Sequence, residues 1–415
     1  MNILVLNCGS SSLKFQIIET DMDMINSDSD KMLAKGLIER VGSQSLITFQ
    51  VVGKQSFKSA EPLRDHKIAL MYAIKWITNP ETDIPGIKDI SDIHAIGHRC
   101  VHGAERFKKA VKIDNDVIDG IEDCIPLAPL HNPANLKGIY AARDIFGPSV
   151  PQVAIFDTAF HSTIPETTYM YAIPYQFYRR FKIRKYGFHG TSHRYIAYRY
   201  RILNNLQRDQ VNIISLHLGN GCSACAIKKG FSLDTSMGLT PLDGLMMGTR
   251  CGDIDPSVIE FLAHNEGITI DEVFSVLNKR SGLLGISGLT NDMRDLLEEE
   301  KEHKDRRATL AIDMFCSRIR KYIGAYMAAM NGVEAICFTG GIGENSPDIR
   351  KRAIQGLEWF GVELDDELNN LAVRSKEMLI SSNDSKIKVY VIPTNEELLI
   401  ARDTLRVVID AERIW

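Results

Sequence analysis

Three charged residues stand in apolar or glycine-rich surroundings. Arg99 closes the run "IHAIGHRC", Arg250 lies in the glycine-flanked "MMGTRCGD", and Asp157 follows "VAIF". A guanidinium grips a carboxylate or a phosphoryl group with two parallel hydrogen bonds, which a lysine cannot do. A carboxylate at the C-terminal end of a strand faces the edge where α/β sheets bind ligands. A lone arginine is most often a surface residue, so these three gain weight only from what accompanies them.

Three turns accompany them. "VLNCGSSSLKF" runs from one strand-like segment through Gly9, Ser10, Ser11 and Ser12 to Lys14 and a second segment. Serine-rich turns commonly just join strands, because glycine tolerates positive φ and serine bonds nearby backbone. The alternative is a phosphate cradle, in which closely spaced amides and hydroxyls form an anion nest and Lys14 adds charge. The layout returns about 210 residues later in "IISLHLGNGCSACAIKKG". A third turn, "ICFTGGIGENSPDIR", reads as strand, then Gly340, Gly341, Ile342, Gly343, Glu344 and Asn345, then a helix opened by Ser346 and Pro347. Its glycines allow close backbone approach, and a helix start favours an anion. Two strand-turn-strand cradles in matching halves, with a glycine-rich turn, describe a duplicated α/β domain holding a nucleotide in the cleft between the copies. No P-loop pattern occurs in the chain.

The frame for these turns is legible in outline. Strand-type runs occur at "NILVLN", "LKFQII", "IHAIGH", "QVAIF", "NIISLHL", "SACAIK", "EAICFT" and "KVYVIP". Helical periods separate them at "HKIALMYAIKWITN", at "PANLKGIYAARDIF" with Pro133 in its first turn, and at "TSHRYIAYRYRILNNL", whose Thr191 and Ser192 read as a cap. The longest helix is expected from Asp305 to Met330, with Phe315, Ile319, Tyr322, Tyr326 and Met330 on one stripe that suits a core or a subunit contact. A last helix is expected in "EELLIARDTLRVVIDA". The charged runs "RRFKIRK" and "LEEEKEHKDRR" read as solvated surface.

Bulk properties narrow the class. At 415 residues the chain is long for one core, which points to two domains. A net charge of −4 gives no footprint for nucleic acid or an anionic membrane. No run reaches a membrane span, and the first strand begins at once without signal-peptide regions, so the expected location is cytoplasmic. The eight cysteines are dispersed and read as buried thiols. Cys222 and Cys225 form a C-x-x-C, but no second pair completes a zinc site and the segment alternates like a strand.

The chain resembles the acetate/propionate kinase family, within the actin, sugar kinase and heat-shock chaperone superfamily. The resemblance is carried by "VLNCGSSSLKF", "GHRCVHGAE", "PLAPLHNPANLKGI", "FDTAFHSTIPE", "YGFHGTSH", "HLGNGCSACAI", "DTSMGLTPLDGLMMGTRCGDIDP", "FTGGIGENSPDIR" and "IPTNEELLIARD". Cys222, Cys251 and Met293 depart from the family pattern, where a small residue, a small residue and an aromatic are expected. The resemblance implies two actin-like (ribonuclease H-like) domains, 1–157 with 396–415 and 158–395, the second carrying the adenosine site and a homodimer contact. It implies reversible transfer of the γ-phosphoryl of ATP to acetate, giving acetyl phosphate and ADP, directly and without a phosphohistidine. A carboxylate is already ionised at neutral pH and needs no general base; it must instead be brought against a polyanion by positive groups.

By resemblance, Arg99 and Arg250 bind acetate and the moving phosphoryl group, His189 hydrogen-bonds that group, and His131 is a second histidine of the pocket. Asp157 helps hold magnesium, or manganese in its place, and positions Arg99; Asn7 and Glu396 are the metal positions. Ser10, Ser12, Lys14, His217, Gly219, Asn220 and Gly221 belong to the phosphate turns. Asp292, Met293 and Arg294, with Gly340, Gly341, Ile342, Gly343 and Asn345, hold the adenosine. Val101, Leu130, Phe188 and Pro241 line the acyl pocket. His98, His102, His161, His193 and His217 read as orienting groups. Two other readings stay open: a kinase for propionate or a sugar, and a nucleotide-driven scaffold or chaperone, against which stands the lack of a peptide-binding extension before Trp415.

Overall fold

The computed structural model describes residues 1–412. The final three residues of the first expected domain, 413–415, lie outside the described residues. The chain forms two compact units, residues 1–159 with the segment from Asn395 onward, and Phe160–Thr394.

In the first unit the strands are β1 (Asn2–Cys8), β2 (Ser12–Glu19), β3 (Lys31–Glu39), β4 (Gln44–Val51), β5 (Phe57–Pro62), β6 (Ala95–Cys100), β7 (Val111–Lys112) and β8 (Gln152–Phe156). They form one sheet in the order β5-β4-β3-β2-β1-β6-β8-β7. Strands β1 to β5 run antiparallel in succession, whereas β1, β6 and β8 are parallel. Alternation on β1 sends Leu4, Leu6 and Cys8 into the core under helices His66–Ile77 and Asn132–Phe146. Ile3 and Val5 point the other way, with Ile400 and Ala401 of helix Glu396–Val408. A central strand covered on both faces must be apolar throughout, which is why "ILVL" reads as a continuous run.

The second unit repeats the plan. Strands β9 (Ile213–Leu218), β10 (Cys222–Lys228), β11 (Phe231–Thr235), β12 (Ala335–Thr339), β13 (Met378–Leu379) and β14 (Lys388–Val391) are ordered β11-β10-β9-β12-β14-β13. The first three are antiparallel neighbours, and β9, β12 and β14 are parallel. In each unit the five central strands therefore follow the order third, second, first, fourth, fifth. This is the duplicated actin-like arrangement. Helix Arg306–Met330 is capped by Asp305, whose carboxylate accepts from the Ala308 N–H at 2.7 Å. Phe315, Ile319, Tyr326 and Met330 are buried and Tyr322 is half-buried, so most of the stripe belongs to the core.

Three expectations are corrected. The helix expected to be capped by Thr191 or Ser192 starts at Gly190, with His189 in the left-handed region at φ 55°, and both hydroxyl residues lie inside it. The glycine-rich turn after β12 is itself a short helix, Gly340–Asn345, followed by Pro347–Ile354. The basic run "RRFKIRK" is not wholly solvated: Arg184 is buried with its guanidinium 3.5 Å over the Tyr169 ring, and Lys185 pairs with Asp234 at 2.7 Å.

Candidate active site

In the first unit, parallel strands β6 and β8 deliver Arg99 and Asp157 side by side at their C-terminal ends. Arg99 Nε donates to Asp157 Oδ1 at 3.0 Å and Nη2 donates to Oδ2 at 2.7 Å, a two-pronged grip that occupies both carboxylate oxygens. Glu396, the first residue of the last helix, lies 3.6 Å from Arg99 Nε. Burial draws the Arg99 guanidinium down, but Asp157 and then Glu396 raise it by more, and it stays above its ordinary range. Burial pushes the Asp157 carboxyl up, and the opposing pull of Arg99 does not fully cancel the rise. These tendencies conflict at a single contact. The forked geometry decides for an ionic pair, since arginine does not deprotonate in proteins.

The other site residues expected from this unit lie on its neighbouring strands, turns and helices. His131 precedes helix Asn132–Phe146 and acts electrostatically on Asp157. Val101 is half-buried, its N–H donating to Asn135 Oδ1 at 3.0 Å, while Leu130 is 61% exposed. In the turn after β1, the Gly9 N–H donates to the Ser12 carbonyl at 2.9 Å, leaving Ser10 and Ser11 exposed. Lys14 is exposed on β2 opposite Asn7. Among the described residues no three His, Cys, Asp or Glu side chains gather as a metal cage. Asn7 and Glu396 offer hard oxygen donors, which fits magnesium, an ion that keeps most of its waters and takes one or two protein oxygens.

In the second unit, four histidines cluster behind the turn joining β9 and β10. His189 Nδ1 lies 2.9 Å from Ser223 Oγ, and its ring stacks on His217 with centroids 4.2 Å apart. His161 Nε2 donates to the Phe188 carbonyl at 3.0 Å, pinning the residue before His189. Phe188 itself is buried. Gly187 makes this possible: at φ 76°, a Cβ there would come 2.3 Å from Thr235 Cγ2. Burial holds His161 down at about 4, and burial with His161 and His217 holds His193 well below its ordinary value, so both rings are neutral at pH 7.

Arg250 approaches the same turn. Its Nη1 donates to the Pro241 carbonyl at 3.1 Å, and burial draws the guanidinium below its ordinary range. A Cβ placed on Gly221 would lie 3.6 Å from Arg250 Nη1 and 3.7 Å from His189 Nε2, so the two groups converge over that glycine. Among the described residues no carboxylate pairs with Arg250. Asn220 is held from both sides: its carbonyl accepts from the Gly248 N–H at 2.9 Å and its Oδ1 accepts from Asn291 Nδ2 at 2.9 Å.

Beside this turn opens a cavity of about 540 Å³. Gly219, Asn220, Asp292, Met293, Arg294, Gly341, Ile342 and Asn345 line it, all expected from the sequence, together with Asn291, Leu297 and Ser346, which were not. Gly340 and Gly343 lie beneath the lining and are buried. At Gly340, φ 77°, a Cβ would come within 2.9 Å of the Leu218 backbone, so glycine lets the short helix press on β9. A further residue missed from sequence is Arg350, fully buried and, among the described residues, without a carboxylate partner. It donates to the Gly343 carbonyl at 2.9 Å, to Asn369 Oδ1 at 2.8 Å, and to the carbonyls of Asn369 and Ala372 at 2.6 and 3.0 Å. Its segment "SPDIRKRA" gives no sign that this one cation points inward.

A duplicated actin-like fold with a glycine-bearing turn after the first strand of each copy defines a class of nucleotide-dependent proteins rather than one activity. The sequence matches the acetokinase family over residues 2–402, and the chain belongs to that family. It is 58% identical to the acetate kinase of Chloroherpeton thalassium, across 99% of this chain and 100% of that one. The crystal structure of Porphyromonas gingivalis acetate kinase superposes with a TM-score of 0.90 at 43% identity, covering 98% of this chain and 99% of that one. A propionate kinase from Francisella tularensis superposes with a TM-score of 0.88 at 42% identity, covering 97% and 98%.

Proposed function

We propose that this protein is an acetate kinase, transferring the γ-phosphoryl of ATP to acetate. An acetate oxygen attacks phosphorus in line, the bond to the bridging oxygen breaks, and its electron pair leaves with ADP; the reverse step makes ATP. The single observation that carries the choice of a carboxylate acceptor is the state of Asp157. A sugar kinase needs a free aspartate to take a hydroxyl proton. Here both Asp157 oxygens are engaged by Arg99, which suits a positioning acid and an acceptor that arrives already ionised.

Within this reading Arg99 and Arg250 hold acetate and the phosphoryl group, and His189 donates a hydrogen bond to the charge that develops on it. Arg250, half-buried and without a carboxylate partner among the described residues, supports that role. Asn220 and the turn glycines take phosphates, and the cavity beside them takes adenosine. Asn7 and Glu396 would hold magnesium, which would supply positive charge to offset that of the phosphates. Val101, Leu130, Phe188 and Pro241 supply apolar surface for the methyl group. A cytoplasmic location and a homodimer through the second unit belong to the same proposal, the dimer supported by exposed Phe261, Ile270 and Phe274.

The test is trapping of acyl phosphate by hydroxylamine, with ATP, magnesium and acetate, propionate or glycerol. Acetate should give the most hydroxamate. ADP release driven by glycerol without hydroxamate from acetate would overturn the reading. Propionate is the second reading, favoured by the likeness to the Francisella protein, and would show as a larger yield from propionate.

A further inference from the structure

We propose that a hydrogen-bond chain running Ser215, His193, Ser223 fixes His189 as the neutral tautomer that carries its proton on Nε2. The direction of the chain follows from counting hydroxyl hydrogens. Ser215 Oγ is fully buried on β9, and among the described residues its one side-chain partner is His193 Nδ1 at 2.9 Å. A buried hydroxyl hydrogen without an acceptor is costly. Ser215 therefore donates to His193 Nδ1, and that nitrogen carries no proton. His193 is a neutral ring, so its proton sits on Nε2, which donates to Ser223 Oγ at 2.8 Å. Ser223 is buried on β10, and among the described residues its two side-chain partners are His193 and His189. With one lone pair taken by His193, its own hydrogen is directed to His189 Nδ1 at 2.9 Å. A neutral imidazole that accepts at Nδ1 donates at Nε2. The opposite direction would leave the Ser215 hydrogen without an acceptor.

The consequence deepens the acetate kinase reading and rests on it only for the role toward phosphate. Nε2 is the His189 nitrogen that converges with Arg250 Nη1 over Gly221. The chain thus presents an N–H there without a positive charge on His189. Ser223 and Ser215 are positioning residues: they act through His189 and touch no substrate.

The decisive measurement is long-range proton–nitrogen correlation on the full chain labelled with nitrogen-15 histidine, with the His189 signals identified by their loss in His189→Gln. At neutral pH, His189 Nδ1 should appear as the unprotonated ring nitrogen and Nε2 as the protonated one. Ser223→Ala should shift His189 toward a mixture of tautomers and lower kcat about three- to tenfold, the worth of one hydrogen bond, with the KM values for ATP and acetate within twofold. Ser223→Thr, which restores the hydroxyl, should recover both. A wild-type His189 protonated on Nδ1 would overturn the proposal, as would an unchanged tautomer in Ser223→Ala. The wild-type spectrum decides even where Ser223→Ala fails to fold. It also decides where no acyl phosphate is formed, so the failure of the acetate kinase reading remains distinguishable.

Discussion

Replacing Asp157 by Asn tests how the first unit holds its arginine. The substitution preserves shape but removes the charge, and turns one acceptor oxygen into a donor facing Arg99 Nη2, now 2.7 Å from Oδ2. Removing one partner of a buried ion pair costs about 3–5 kcal/mol. Arg99 retains Glu396 at 3.6 Å as a second counter-charge, so the lower end, about 3 kcal/mol, is expected. For a unit of this size that corresponds to a fall in Tm of about 6 to 12 °C. Activity should fall further, because Arg99 would lose the fork that orients it: kcat/KM for acetate should drop about a hundredfold or more. Thermal unfolding followed by circular dichroism and the hydroxamate assay give the two readings. A variant with unchanged Tm and kcat/KM within threefold would refute the idea that the Arg99–Asp157 pair organises the site. A variant with unchanged Tm but no activity would instead favour Asp157 as a chemical base, and the sugar kinase reading with it.

Arg250→Lys should keep the fold and lose about a hundredfold in kcat, because a point charge cannot replace a planar two-pronged donor to developing charge; kcat within twofold of the parent would remove Arg250 from the site. Arg350→Met should raise the KM for ATP about tenfold with little change in kcat, since the Gly343 carbonyl beneath the cavity loses its donor; a change in kcat alone would refute that link. Val101→Ala should lower the KM for propionate more than that for acetate, by the ~1–3 kcal/mol that one methylene is worth in an apolar pocket; an unmoved ratio of kcat/KM values would exclude Val101 as the gate. Stability should also fall in acid. His161, held at about 4 by burial, and His193, held well below its ordinary value by burial, have folded values below the unfolded 6.5. Above that value neither state binds these protons and stability is complete; as pH falls toward 5 only the unfolded chain takes them, and His161 alone costs about 2 kcal/mol. Equal urea midpoints at neutral pH and near pH 5 would contradict this.

What the sequence discloses follows from burial. Strands β1, β6, β8, β9, β12 and β14 are buried along nearly their whole length, and their predominantly apolar runs are legible. Strands β3, β4 and β5 were not, because exposed Lys31, Met32, Lys35 and Glu39 interrupt β3, β4 alternates buried and exposed residues, and β5 is largely exposed. The start of helix Gly190–Leu203 was misread because Thr191 and Ser192 resemble caps. The chain instead enters the helix through His189 at positive φ, a conformation set by His161 and Gly187 from outside the segment. Arg99 and Asp157 were legible as a charge at each of two strand ends, and the family resemblance supplied the cavity residues. Arg350 and Ser223 were not legible: one is a cation in an apparently ordinary helix turn, the other a small residue in a strand, and only tertiary packing gives either a partner.

The duplication copies the frame and divides the chemistry. In both units the working groups gather at one edge, where the parallel central strands end. In the first unit that edge carries opposed charges, Arg99 against Asp157 and Glu396, so the guanidinium is fixed in place but largely neutralised. In the second, the edge carries an amide, Asn220, the imidazole of His189 and an arginine, Arg250, without a carboxylate partner among the described residues. A polyanion approaching the second edge meets donors and the Arg250 charge, while the nearby acid Asp292 is paired with Arg294, as a nucleoside triphosphate requires. A carboxylate acceptor needs orientation more than attraction, and a guanidinium already held by two acids provides that. On the proposed reading, the same strand order thus serves two opposite electrostatic tasks. The difference comes from side chains at a few strand ends and turns, not from the fold that presents them.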